Sequence, residues 1–133
     1  MIECLIIGDS IAVGISHYRT DCTVEAKVGI DSEDYVNGLF RHFDLVKAKK
    51  TIISLGSNDG LADSYSPLLA LRELITGEVI WVLSSNNIES RYAALTIAKK
   101  YGDSVLDIRS YPLRKDLIHP TNKGYKLIAE DLK

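Results

Sequence analysis

Five short apolar runs recur along the chain, at residues 2–7, 22–28, 51–55, 78–83 and 104–108. Most are β-branched and nearly continuous rather than alternating, the pattern of strands covered on both faces. Helical spacing fills the gaps between them. Asp31 or Ser32 can cap a segment running through His42, with Tyr35, Leu39 and Phe43 at helical intervals. Pro67 suits the first turn of a helix that carries Leu68, Leu71 and Ile75 and stops near Gly77. Residues 90–101 set Tyr92, Leu95, Ala98 and Tyr101 along one side and end at Gly102, and near the end of the chain Tyr125, Ile128, Ala129 and Leu132 share a face. Strands and helices that alternate over short connections specify a parallel sheet with helices on both sides. The expected fold is a three-layer α/β/α flavodoxin-like sandwich, its five-stranded sheet in the order 2-1-3-4-5. At 133 residues, without repeats or linkers, the chain reads as one domain.

That architecture says where chemistry belongs. Ligands of such sheets bind outside the carboxyl ends of the strands, at the switch between the first and third. The first run gives out into Gly8-Asp9-Ser10, the second into Val28-Gly29-Ile30 and the third into Gly56-Ser57-Asn58-Asp59. After the fifth comes Asp116-Leu117-Ile118-His119-Pro120. Each residue type has a part in acyl transfer. A serine hydroxyl becomes a nucleophile when a histidine takes its proton, and an acid fixes that histidine's tautomer. The tetrahedral intermediate needs donors already aimed at its oxyanion. Ser10, Asp116 and His119 are the candidate triad. A backbone N–H in the first helical turn after the first run, the Gly29 N–H and the Asn58 amide are the candidate oxyanion hole.

Each of these residues has a plainer role to weigh. Gly8, Asp9 and Ser10 suit a turn or a helix cap, Gly29 a strand-end turn, and Asn58 or Asp59 the cap of a following helix. His119 can be a loop residue held extended by Pro120. His17 and His42 sit in helical segments and read as structural or surface residues. Taken together the plain roles demand several coincidences on one rim.

The ordered blocks "GDS", Gly, "GSND" and "DLIHP", spread from Gly8 to His119, resemble the four blocks of the SGNH hydrolases, the GDSL esterase/lipase family. The resemblance implies Ser10 as nucleophile and oxyanion donor, Gly29 and Asn58 as the other donors, His119 as base and Asp116 as its orienting acid. Ile11 stands where leucine is usual. The chain is short for the family, and "DGLADSYS" after Asn58 leaves little for a lid or a deep acyl tunnel. The GxSxG elbow of α/β-hydrolases is absent.

Composition narrows the alternatives. Net charge is −2, from 16 Lys+Arg against 18 Asp+Glu, so nucleic acid and anionic membrane surfaces have little electrostatic support as partners. "KAKK" at 47–50 reads as a short solvated cluster before a strand. No stretch approaches the roughly 20 apolar residues of a membrane span. The opening "MIECLIIG" has no basic n-region, so the cytoplasm is the expected site of synthesis, compatible with later release by lysis or carriage on a larger particle. Cys4 and Cys22 fit no metal spacing and are expected as free, partly buried thiols in a reducing compartment.

The expected activity is a serine esterase with a shallow site, acting on short acyl groups such as an acetyl ester on a carbohydrate, with no metal or organic cofactor. A thioesterase or lysophospholipase of the same family and a catalytically silent binding module of this fold are the alternatives. A phosphate-binding reading of "GDSIAVG" lacks the Lys-Ser/Thr of a phosphate loop, and a receiver-type phosphoacceptor lacks paired acids after the first strand.

Overall fold

The β-branched runs pair side by side as a single parallel sheet. The computed structural model describes residues 2–40 and 47–133. In chain order the elements are β1 (Ile2–Gly8), α1 (Ser10–Ser16), β2 (Thr23–Ala26), α2 (Ser32–Asp34) running into a π-helical turn (Tyr35–Leu39), β3 (Ala48–Ser54), α3 (Tyr65–Glu73), β4 (Glu78–Leu83), α4 (Ile88–Tyr101), β5 (Ser104–Asp107), a 3-10 turn (Ile108–Ser110) and α5 (Asn122–Asp131). The strand order is β2-β1-β3-β4-β5, every pairing parallel, as the alternation of runs and helices requires.

Both faces of the sheet are covered, and this is why the central strands read as continuous apolar runs. Leu5, Ile7, Ile53 and Trp81 point to one side, into a core completed by Tyr35, Leu68, Leu71 and Ile97. Cys4, Ile6, Ile52 and Ile80 point to the other, against Ile11 and Ile15 of α1 and Tyr125 and Ile128 of α5. Among the described residues no helix is long and apolar enough to cross a membrane.

Four expectations are corrected. The side of α4 that carries Tyr92, Leu95 and Tyr101 leans to solvent, and Ser90, Ala93, Ala94, Ile97 and Ala98 form its buried face. Small side chains let that helix lie close on the sheet, where the tyrosine rings would hold it off. Tyr101 instead stacks under the Arg72 guanidinium, 4.2 Å from the ring centre. Second, β3 begins at Ala48, so Lys49 and Lys50 belong to the strand, and Lys49 pairs with Glu3 across the neighbouring strand. Third, Asp31 caps α2, accepting the Asp34 N–H at 2.8 Å, but the α-helical turn gives way to the π-helical one at Tyr35; His42 and Phe43 lie outside the described residues.

The fourth concerns the cysteines, which form a disulfide rather than two free thiols. The register explains it. Leu5 pairs with Thr23, so Cys4 and Cys22 face each other one rung earlier, with Cα atoms 4.6 Å apart, inside the range a disulfide spans. Such bonds persist in oxidising surroundings and are rare in a reducing one.

Candidate active site

β1 ends at Gly8, where the chain passes so close to β3 that a Cβ would stand 1.8 Å from the Ser54 carbonyl oxygen; with φ at +142° only glycine fits. The Asp9 N–H bonds that same carbonyl at 2.9 Å. Asp9 then caps α1, its buried carboxylate accepting the Ile11 N–H at 3.0 Å. Ser10 is therefore the first residue of α1, and its own N–H belongs to the opening turn that lacks intrahelical acceptors. The cap and the nucleophile candidate are adjacent residues with separate tasks.

The Ser10 hydroxyl lies 2.9 Å from His119 Nε2. His119 Nδ1 lies 2.8 Å from Asp116 Oδ2. Because a carboxylate only accepts, Nδ1 carries the proton and Nε2 is left to accept from Ser10. The other oxygen, Asp116 Oδ1, accepts the backbone N–H groups of Ile118 at 2.9 Å and His119 at 3.0 Å. These bonds, led by the His119 N–H, hold the Asp116 carboxyl well below the usual carboxylate range. The loop that carries the pair closes on itself. Leu113 bridges Pro120, the Arg114 N–H bonds the His119 carbonyl at 2.7 Å, and the Ser85 hydroxyl donates to the Leu117 carbonyl at 2.5 Å. Leu117 takes a positive φ of 60° within it.

The two remaining candidates come together on the same rim. Gly29 occupies the third position of a turn closed by the Ile30 N–H on the Lys27 carbonyl, with φ at +82°. A Cβ there would meet no protein atom within 4 Å, so it would project into open space. Asn58 Nδ2 donates to the Ile30 carbonyl at 3.0 Å. That bond fixes which end of the amide is NH₂, and Nδ2 has a second hydrogen beyond the one it gives to Ile30. Asn58 caps no helix, since α3 begins at Tyr65 and Asp63 accepts its first N–H groups.

Three side chains that tie these segments together had no such role in the sequence reading, where Asp59 stood only as a candidate helix cap. The Ser57 hydroxyl donates to Asp9 at 2.6 Å, and burial pushes the Asp9 carboxyl up against the opposing pull of that bond. Asp59 accepts from Ser32 and Ser64. Ser85 belongs to the β4–α4 connection, where no motif marks it. Among the described residues no group of His, Cys, Asp and Glu is arranged to hold a metal ion. The site is open: the side chains of His119 and Asp116 are 31% and 43% exposed. A groove of about 680 Å³ runs from Gly29 and Ile30 past Lys27, Asp34 and Asn37.

No family model and no curated sequence matches the chain. Solved structures do. A GDSL-like lipase from Bacteroides thetaiotaomicron superposes with a TM-score of 0.73 at 15% identity, over 97% of this chain and 84% of that one. An acetylxylan esterase from Geobacillus stearothermophilus gives 0.68 at 18% identity, over 96% and 90%. A psychrotrophic esterase from Pseudoalteromonas sp., solved as inhibited by monoethylphosphonate, gives 0.68 at 16% identity, over 98% and 94%.

Proposed function

We propose that this chain, which has the fold of the SGNH hydrolases, is a serine esterase that removes short acyl groups, with O-acetyl groups on carbohydrate as its substrate class. The observation that carries the reading is the unbroken relay from Ser10 Oγ to His119 Nε2, and from His119 Nδ1 to Asp116.

In the proposed reaction Ser10 Oγ attacks the ester carbonyl carbon while His119 Nε2 takes its proton. Asp116 holds the imidazole by Nδ1 and stabilises the imidazolium that forms. The carbonyl oxygen becomes an oxyanion that receives the Ser10 and Gly29 N–H groups and the second hydrogen of Asn58 Nδ2. Collapse breaks the bond to the alcohol oxygen, which leaves with the proton from Nε2. Water then attacks the acyl-serine, giving its proton to Nε2, and the acid departs as Ser10 recovers its hydrogen. The residues at the site supply nucleophile, base and oxyanion donors, so the mechanism calls for no cofactor.

The partly exposed histidine and the open groove beside Gly29 support a small acyl group. That a structural neighbour is an acetylxylan esterase supports a carbohydrate as the alcohol part. The test is a panel of p-nitrophenyl esters of increasing chain length together with O-acetylated oligosaccharides, run on wild type and Ser10→Ala. Acetate release from the sugars, with turnover falling beyond short chains and vanishing in Ser10→Ala, is the expected result. Preference for long acyl chains would turn the reading to a lysophospholipase, and activity that survives in Ser10→Ala would overturn the serine mechanism.

A further inference from the structure

The oxyanion-hole candidates stand on separate segments, so something must hold their donors in register. Gly29 lies in the turn after β2 and Asn58 in the turn after β3. They are joined directly by a bond from Asn58 Nδ2 to the Ile30 carbonyl, exposed to solvent, where water competes for both partners. A second tie lies beneath it and is buried. Asp59 Oδ1 accepts the Ser32 N–H at 2.8 Å, and Oδ2 accepts the hydroxyls of Ser32 at 2.7 Å and Ser64 at 2.6 Å. Asp59 is 7% exposed, Ser32 0% and Ser64 2%.

Two features set this carboxylate apart from an ordinary turn residue. Among the described residues its three partners are neutral donors and no cation pairs with it, a costly arrangement for a buried acid. Such charge-assisted bonds are also shorter and about twice as strong as neutral ones. And it spans the two segments at the right place, since Asp59 follows Asn58 directly and Ser32 comes three residues after Gly29. Asp9 does the same on the other side, receiving Ser57 from the Asn58 segment while capping the helix that starts at Ser10.

We propose that Asp59 is a positioning residue for the oxyanion hole: by gripping Ser32 from beneath, its carboxylate sets the distance between the Asn58 amide and the Gly29 N–H. The inference rests on the esterase reading of the same site. It follows that Asp59 acts on the transition state without touching substrate. Donors displaced by a fraction of an ångström still let substrate bind but no longer meet the oxyanion, and a shift of about 1 Å can cost on the order of 10²-fold.

The experiment measures kcat and KM for p-nitrophenyl acetate, the rate of labelling by a fluorophosphonate, and Tm. The variants are Asp59→Ala, Asp59→Asn, Asn58→Ala, the double variant Asn58→Ala/Asp59→Ala, and Arg72→Ala. Arg72 serves as a control for lost stability, because it binds Asp103 just ahead of β5, at the edge of the sheet away from the site. Asp59→Ala should lose about 10–100-fold in kcat with KM nearly unchanged, and label correspondingly slowly. Asp59→Asn should recover much of that loss, since its Oδ1 can still take the Ser32 N–H while its NH₂ donates to the two hydroxyls. The double variant should fall well short of the product of the single losses, because Asp59 acts through donors that include Asn58. Arg72→Ala should lower Tm and leave kcat alone. Unchanged kcat in folded Asp59→Ala, or losses that multiply in the double variant, would overturn the inference while leaving the esterase standing. Should Asp59→Ala fail to fold, Ser32→Ala takes its place, removing the hydroxyl grip on the Gly29 segment from the partner side: kcat should fall with KM nearly unchanged, and unchanged kcat and labelling overturn the inference. A wild type that neither turns over esters nor takes the label overturns both.

Discussion

Asp116 divides its work between its two oxygens. One grips the loop backbone through the N–H groups of Ile118 and His119, and the other orients the imidazole. Held well below the usual carboxylate range, it stays ionised throughout the mildly acidic region and keeps both grips there. Asp116→Asn should therefore lower kcat/KM by up to about 10⁴, through the wrong tautomer as well as a loosened loop, and His119→Ala should be at least as damaging. Because the two act as one unit, the double variant should lose little more than His119→Ala alone, which steady-state kinetics on the three variants will check. Asn58 gives a second test at this scale. Asn58→Ala should cost about 10²–10³ in kcat with a smaller effect on KM. A rise in KM with kcat unchanged would mean that the amide binds the ground state.

At the scale of elements, charge pairs fasten the helices of one face to the strand ends. Arg91 of α4 meets Asp107 at the end of β5 in a two-pronged pair, at 2.7 and 3.1 Å, and also donates to the Ser84 carbonyl at 2.7 Å. The Arg91 guanidinium, with Arg109 adding to it, holds the Asp107 carboxyl well below the usual carboxylate range. A depressed folded pKa means that the contribution is fully present above the unfolded value of about 3.9 and disappears as pH falls from there towards the folded one. The Tm of wild type should accordingly decline below about pH 4. Asp107→Asn should be less stable at neutral pH and decline less steeply in acid, as thermal melts across pH 7 to 2 will show. At the other end of α4, the buried Arg72–Asp103 pair also receives the Trp81 indole N–H at 3.0 Å, so one carboxylate joins α3, β4 and the turn into β5.

For the whole molecule, the Cys4–Cys22 bond closes an 18-residue separation that includes α1 and joins the edge strand to its neighbour. A loop of that size corresponds to about 3 kcal/mol of stabilisation in the chain-entropy account. Unreduced protein should show no titratable thiol, and reduction should expose both cysteines and lower the stability by about that amount in denaturant melts. Free thiols in protein never exposed to reductant would contradict the bond.

Sheet order and the location of the site were legible in the sequence because each follows from a local pattern. Continuous β-branched runs mean strands covered twice, and Ser10, Gly29 and Asn58 each follow where such a run gives out. The relay partners were legible for the same reason, since Asp116 and His119 are neighbours in sequence and Ser10 opens the first helix. What stayed hidden was decided by register and packing. Cys4 and Cys22 become partners only when β1 and β2 align rung by rung. The buried side of α4 carries Ser90, Ala93, Ala94, Ile97 and Ala98 rather than its tyrosines, a choice made by packing that no hydrophobic count contains. The ties of Asp59 to Ser32 and of Ser57 to Asp9 join residues 27 and 48 positions apart. Sequence alone named the candidate residues and the edge on which they stand. Tertiary structure alone decided what holds them at working distance, because a hydrogen bond between distant segments depends on where the chain returns, and that is a property of the packed sheet.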